Sequence, residues 1–331
     1  MTGTIREATS AEAHEAASVS AGAGDAASRV GTPAILAQPL PLLLIVGGFL
    51  AVSTVIAKAA PGLGWHPLAL LQWSILGGAA GLFLITRLAG AGSARRATVF
   101  PDHRLMLYLV MSGLLFIAPN MIAVAAAPRV GAGFVSLCYA FPLVLTYALA
   151  VLLRLERLEW LRGAGVLAGL AGGVLLAVSG RSLSVEASHW SLLALAIPVF
   201  LAGGNIYRTL YWPEGARPVD LALGMMLAGF AALGLFNSVT GTPLTPAAWT
   251  PAALSLLAAQ IAIFALQYGL YFRLQQAAGP VYLSQIGSVA AVTGLGLGYL
   301  VFGEIPGAAK LAAVASVGAG IVLVSLGRRM S

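Results

Sequence analysis

Apolar runs broken by short polar or charged stretches divide the chain into ten segments, roughly 40–60, 66–88, 104–127, 131–154, 160–180, 189–210, 217–237, 250–271, 279–302 and 307–327. Each is close to the ~20 residues an α-helix needs to cross a hydrocarbon core of ~30 Å. The number of runs and their recurrent glycines predict membrane helices; a barrel would show short alternating strands instead. Boundaries are least defined at PNMIAVAAAPRVG and TGTPLTPAAWTPAAL, where prolines cluster. Ahead of the first run, residues 1–38 are rich in Ala, Ser and Gly and carry four acidic residues beside two arginines. That stretch reads as a disordered cytoplasmic tail rather than a signal peptide.

One pattern recurs at long range. GPVYLSQIGSVAAVTGLGLGYLVFGE (Gly279 to Glu304) has an earlier counterpart, GAGFVSLCYAFPLVLTYALAVLLRLE (Gly131 to Glu156), at an offset of 148. Gly131, Ser136 and Glu156 then pair with Gly279, Ser284 and Glu304, and Arg162 meets Lys310. A weaker likeness links FLAVSTVIAKAAP from Phe49 with FLAGGNIYRTLYWP from Phe200. The chain therefore reads as two five-span units, 39–180 and 181–331, the second ending in a short cytoplasmic C-terminus. Five is odd, so the copies cross the membrane in opposite senses. The expected fold is an all-α integral membrane protein of ten transmembrane helices built from two inverted five-helix repeats, a plan common among alternating-access transporters.

Composition agrees with the membrane reading. Of 331 residues 59% are hydrophobic and 9% charged, against about 25% charged in soluble domains. The formal net charge of +7 suggests nucleic acid until the charges are placed, and they fall between the apolar runs. With the N-terminus inside, fourteen basic residues face inward (Arg6, Arg29, Arg87, Arg95, Arg96, Arg104, Arg154, Arg157, Arg162, Arg208, Arg217, Arg273, Arg328, Arg329). Four face outward: Lys58, Arg129, Arg181 and Lys310. This positive-inside bias puts both termini in the cytoplasm of a multi-pass protein of the bacterial inner membrane. The expected partners are membrane lipids and a small-molecule substrate, with no nucleic acid. The single cysteine, Cys138, excludes an intrachain disulfide and a Cys-rich metal site, and no metal or other cofactor is expected.

The spacing of these motifs resembles the EamA-type family of the drug/metabolite transporter superfamily, over about residues 40–327. The family's small-residue run closed by a lysine appears as FLAVSTVIAK, ending at Lys58. Its proline ahead of a helix-closing glutamate appears as YAFPLVLTYALAVLLRLE, with Pro142 and Glu156, and its second glutamate as GYLVFGE, with Glu304. Two departures are visible: RLE stands where GE is usual, and SVAAV around Ala290 lacks a proline. The resemblance implies a permease that exports amino acids, related metabolites or toxic compounds.

A carrier needs polar groups near the bilayer midplane, and an amide or hydroxyl in hydrocarbon must find a partner on a helix or in a cavity. The substrate-binding candidates are Asn120, Tyr139, Asn205, Tyr207, Gln260, Gln267, Tyr271, Ser284 and Gln285, with Gln72 a further polar position. For each, bonding between helices is the competing role. Lys58, Pro142, Glu156 and Glu304 are gating or structural candidates: Lys58 as interface anchor, cationic contact for a substrate carboxylate or gate partner, Pro142 as a bend used in motion or a packed kink, the glutamates at helix ends. None of the eleven acidic residues falls in the middle of a span, so facilitated transport or exchange is expected over a carboxylate-based proton relay. An enzyme is disfavoured because HExxH, GxSxG and paired histidines are absent, and no P-loop supports ATP-driven transport. A drug or toxic-compound efflux permease and a non-transporting subunit or sensor remain as alternatives. Glycine-rich faces such as LAGLAGGVLLAVSG serve equally for internal packing and for a homodimer.

Overall fold

A computed structural model describes residues 38–88, 103–154, 157–180, 185–305 and 307–330. Among them the regular elements are all helical. In chain order they are α1 (Pro39–Ala59), a 3-10 turn (Ala60–Leu63), α2 (Pro67–Leu88), α3 (His103–Val130), α4 (Ala132–Cys138), α5 (Pro142–Leu152) and α6 (Trp160–Gly180). They continue with α7 (Val185–Ala194), α8 (Ile197–Leu210), α9 (Pro218–Thr240), α10 (Pro251–Leu283), α11 (Ile286–Phe302) and α12 (Ala308–Met330). Seven helical stretches among the described residues are long and apolar enough to cross a membrane, with mean hydropathies of 1.5–2.4 over their most apolar windows.

The surface supports the same conclusion. Leu44, Leu84, Leu107, Leu235, Val292 and Leu300 each expose more than half their area, while Gln72, Asn205, Gln260 and Gln267 are buried. Scattered apolar surface is ordinary on a soluble protein. Leucines and valines outward on five helices, with amides turned inward, are the arrangement a lipid solvent selects. The molecule is an all-α, multi-pass membrane protein.

Several apolar runs are interrupted helices. The segment predicted at 131–154 breaks at Tyr139–Phe141 into α4 and α5. That predicted at 189–210 breaks after Ala194 into α7 and α8. Pro142 stands at the start of α5, directly after the Tyr139–Phe141 break, where its missing N–H would have no intrahelical partner anyway. The predicted loop before residue 279 is shorter than expected. Helix α10 runs to Leu283 with one non-helical residue, Gly279, at φ 74°. Its counterpart 148 positions earlier, Gly131, also has positive φ, 95°. Both glycines adopt a backbone that a side chain would strain. In contrast, Pro119 and Pro128 leave α3 assigned as one helix through Val130.

Two cores hold the bundle. One joins α2, α3, α9 and α10 around Trp65, Ile75, Tyr108, Met226 and Phe272. The other joins α4 and α8 with the ends of α3 and α11 around Phe134, Tyr139, Ile197 and Ala290. Glycines set the closest approaches: an added Cβ at Gly320 of α12 would lie 2.7 Å from the Gly165 carbonyl of α6 and 2.8 Å from the Gly169 amide. The glycine face of α6 is thus used within the chain, packed on α12.

Candidate functional site: a polar cavity between two cores

Three adjoining chambers follow the boundary between these cores, and Leu50 and Tyr139 line all of them. The first, between α1, α3 and α10, is lined by Ser53, Thr54, Asn120, Gln260 and Gln267. The second adds Phe116, Arg208 and Tyr271 and shares Tyr268 with the first; the third adds Pro142, Asn205 and Ser284. Their volumes are about 10, 50 and 40 Å³. A water needs roughly 10–15 Å³ on this measure, so a solute larger than a few waters enters only if the lining parts. A wider hollow of about 720 Å³, lined by Trp65, His66, Arg129 and Trp190, opens at the Lys58 end. Its lining is mainly aromatic, proline and alanine, and the convergent amides lie in the narrow chambers.

Polar positions on α10 share one face because Gln260, Gln267, Tyr271 and Gln275 are spaced 7, 4 and 4 residues apart. Gln260 donates through Nε2 to Ser53 Oγ at 3.0 Å. Its Oε1 and that of Gln267 are buried without a hydrogen-bond partner. Asn120 turns its amide back to the Phe116 carbonyl at 2.7 Å. Ser284 donates to the Val281 carbonyl at 2.7 Å where α10 ends. Of the predicted binding residues, Asn120, Tyr139, Asn205, Gln260, Gln267, Tyr271 and Ser284 line the chambers. Tyr207 and Gln285 do not. Tyr207 stacks on Tyr108 with ring centres 5.9 Å apart, and Gln285 caps α11. Gln72 accepts from Asn237 Nδ2 at 2.7 Å and joins α2 to α9.

At one end of the cavity α1, α4 and α11 meet in two layers. In the first, Thr54 Oγ1 and Ser136 Oγ are 3.2 Å apart, and a Cβ at Gly294 would lie 2.0 Å from that serine oxygen. One turn on, Lys58 pairs with Glu304. The same carboxylate accepts from the Ala132 and Gly133 amides, each at 2.9 Å. Cβ atoms at Gly131, Gly133 and Gly298 would all fall within 3.0 Å of it. Lys58 also lies 4.2 Å from the centre of the Phe302 ring. In this structure Lys58 is engaged in an ion pair with Glu304. Glu304 lies past the end of α11, and opposing effects set its acidity. Burial pushes its pKa up, but the bond from Lys58, the Gly133 and Ala132 amides and the lysine charge together hold it below the ordinary carboxylate value. Glu156, its counterpart in the sequence, lies outside the described residues.

At the other end stands a residue the sequence reading assigned to the inner charges between spans. Arg208 lies inside α8 and is 3% exposed. Its Nη2 donates to Asn205 Oδ1 at 3.0 Å and Tyr271 Oη at 2.8 Å. Its Nε points to Gln275 Oε1 at 3.4 Å, and Tyr271 in turn donates to Asn205 at 2.6 Å. Arg208 was readable in principle, since Asn205 and Arg208 are three residues apart on one helical face. Its position two residues before the helix end disguised it as a flanking charge.

No family model matches the sequence, and no curated protein does. A solved crystal structure, whose description names no function, aligns with a TM-score of 0.60 and 19% identity over 86% of this chain and 95% of that chain. At that identity the likeness is one of fold.

Proposed function

We propose that this chain is an alternating-access carrier of small organic solutes, with ten transmembrane helices arranged as two inverted five-helix repeats. The observation that carries the reading is the narrow cavity at the boundary between two cores. Its polar lining draws on both halves of the chain, Asn120 and Tyr139 from the first and Asn205, Gln267 and Tyr271 from the second. The matched positive φ at Gly131 and Gly279 supports the repeat, and broken helices beside a cavity are a usual feature of such carriers. In this reading the Lys58–Glu304 pair closes the outer end and must separate for the cavity to open there. Among the described residues lining the three chambers none is acidic or histidine, which favours exchange or facilitated movement over a proton relay. Resemblance to the EamA-type permeases adds the rest of the proposal: amino acids or related metabolites as substrates, export as the direction, an inner-membrane location and cytoplasmic termini.

Counterflow in liposomes containing the purified protein tests it. Labelled amino acids, nucleosides and small sugars are offered outside, with the same unlabelled solute inside. Accumulation that requires internal substrate and falls at least tenfold in Gln267→Ala is expected. Folded, inserted protein that exchanges no solute, drug-like cations included, would favour a non-transporting role.

A further inference from the structure

Arg208 is held only by neutral groups. Its hydrogen-bond partners are Asn205, Tyr271 and Gln275, and no carboxylate among the described residues pairs with it. Removing a guanidinium from water without a counter-charge costs several kcal/mol, and amide and phenol dipoles return part of that. The side chain also lines the second chamber, with Nη2 committed to Asn205 and Tyr271 and no acceptor on Nη1 among the described residues. A fixed positive charge at a cavity wall, with one nitrogen uncommitted, is suited to a bound anion.

The same cavity carries complementary chemistry on α10, one turn and more before the Tyr271 that bonds Arg208. Gln260 and Gln267 are 4% and 3% exposed, and their carbonyl oxygens have no donor among the described residues. An orphaned buried acceptor carries a desolvation cost that a ligand N–H or O–H would relieve. Gln267 lines the same chamber as Arg208. A molecule bound in that chamber thus meets both a cation and an acceptor, with the Phe116, Tyr139 and Tyr268 rings in the same lining.

We propose that Arg208 is the anion-binding residue of the cavity and that the solute is a small organic monocarboxylate carrying a hydrogen-bond donor, its carboxylate on Arg208 and its donor on Gln267. One cation suits one negative charge. A phosphate monoester, near −2 at neutral pH, would leave the chamber net negative. This assignment rests on the carrier reading above for its substrate language, and its test is built to separate the two.

The full-length protein in lipid nanodiscs is titrated with four probes of matched size: an α-amino acid, its hydroxy-acid analogue, its carboxamide and a phosphate monoester. Binding is read by calorimetry, and the same probes are run in counterflow. Both carboxylates are expected to bind the wild type at least tenfold more tightly than the carboxamide or the phosphate ester. Arg208→Gln should abolish that preference and Arg208→Lys restore part of it, with thermal unfolding confirming that each variant folds. Gln267→Leu should weaken the amino acid and hydroxy acid while leaving a fifth probe, a carboxylate of the same size without a donor, unchanged. Carboxylate binding that depends on Arg208 without counterflow would sink the carrier and retain the anion site. Counterflow indifferent to Arg208→Gln would do the reverse. Equal affinity for acid and amide, tighter binding of the phosphate ester, or binding of none of the four would overturn the proposal.

Discussion

Glu304 shows how one carboxylate can tie three helices together. Its two oxygens take a lysine from α1 and two backbone amides from α4, and glycines on α4 and α11 leave the space it occupies. Hydrogen bonds to charged groups contribute ~1.5–3 kcal/mol each, and the lysine, its side chain 22% exposed, contributes toward the low end of that range. Glu304→Gln should therefore lower the unfolding temperature at neutral pH. The pH dependence follows from the direction of the shift. With the folded pKa below the ordinary 4.5, ionised Glu304 adds stability above that value, and the gain is lost as pH falls through the lowered one. Thermal unfolding in detergent should show a wild-type loss on that acid side which Glu304→Gln lacks; parallel curves for the two proteins would count against the network. Lys58→Met should reproduce the neutral-pH destabilisation while leaving the two amide bonds in place.

At the scale of elements, the breaks matter more than the helices. The start of α11 crosses the Tyr139–Phe141 break so closely that a Cβ on Gly287 would stand 1.4 Å from the Tyr139 carbonyl oxygen. Backbone cannot yield as a flexible side chain can, so overpacking here costs ~1–3 kcal/mol or more. Gly296, two to three turns further along the same helix, has nothing within 4 Å of the corresponding position. Gly287→Ala should sharply reduce the yield of folded protein and its unfolding temperature. Gly296→Ala should leave both unchanged or raise stability by up to ~1 kcal/mol. Size-exclusion profiles and thermal unfolding of the pair decide it, and equal behaviour would mean that the contact at the break does not constrain the fold. The glycine spacing was visible in the sequence. Which glycine meets backbone and which meets nothing was not, because helical periodicity gives a face and not its neighbour.

For the whole molecule, the consequence concerns energy coupling. The charged group in the cavity is an arginine, and among the described residues lining the three chambers no carboxylate or imidazole is placed to pass a proton. Counterflow between pH 6 and 8 should vary less than about twofold for a solute whose own ionisation is constant, and an imposed proton gradient should not drive accumulation. Accumulation against a gradient that collapses with a protonophore would require a titrating group elsewhere on the path.

The sequence by itself determined the solvent and the class of fold. With 59% of residues hydrophobic and 9% charged, only helices that satisfy their own backbone could carry these runs through lipid. Most of the polar positions that line the cavity were also legible, since an amide in an apolar run has few alternatives to a helix contact or a pocket. Tertiary structure decided which alternative each one took. It sent Gln72 to bond with Asn237 and Tyr207 to stack on Tyr108, and it joined Lys58 to Glu304 across 246 positions of sequence. It also drew Arg208 from the expected end of a span into the cavity wall. A charge near a helix end can reach either toward solvent or inward along its own helix, and the choice depends on partners such as Tyr271 and Gln275, 63 and 67 residues away in the chain.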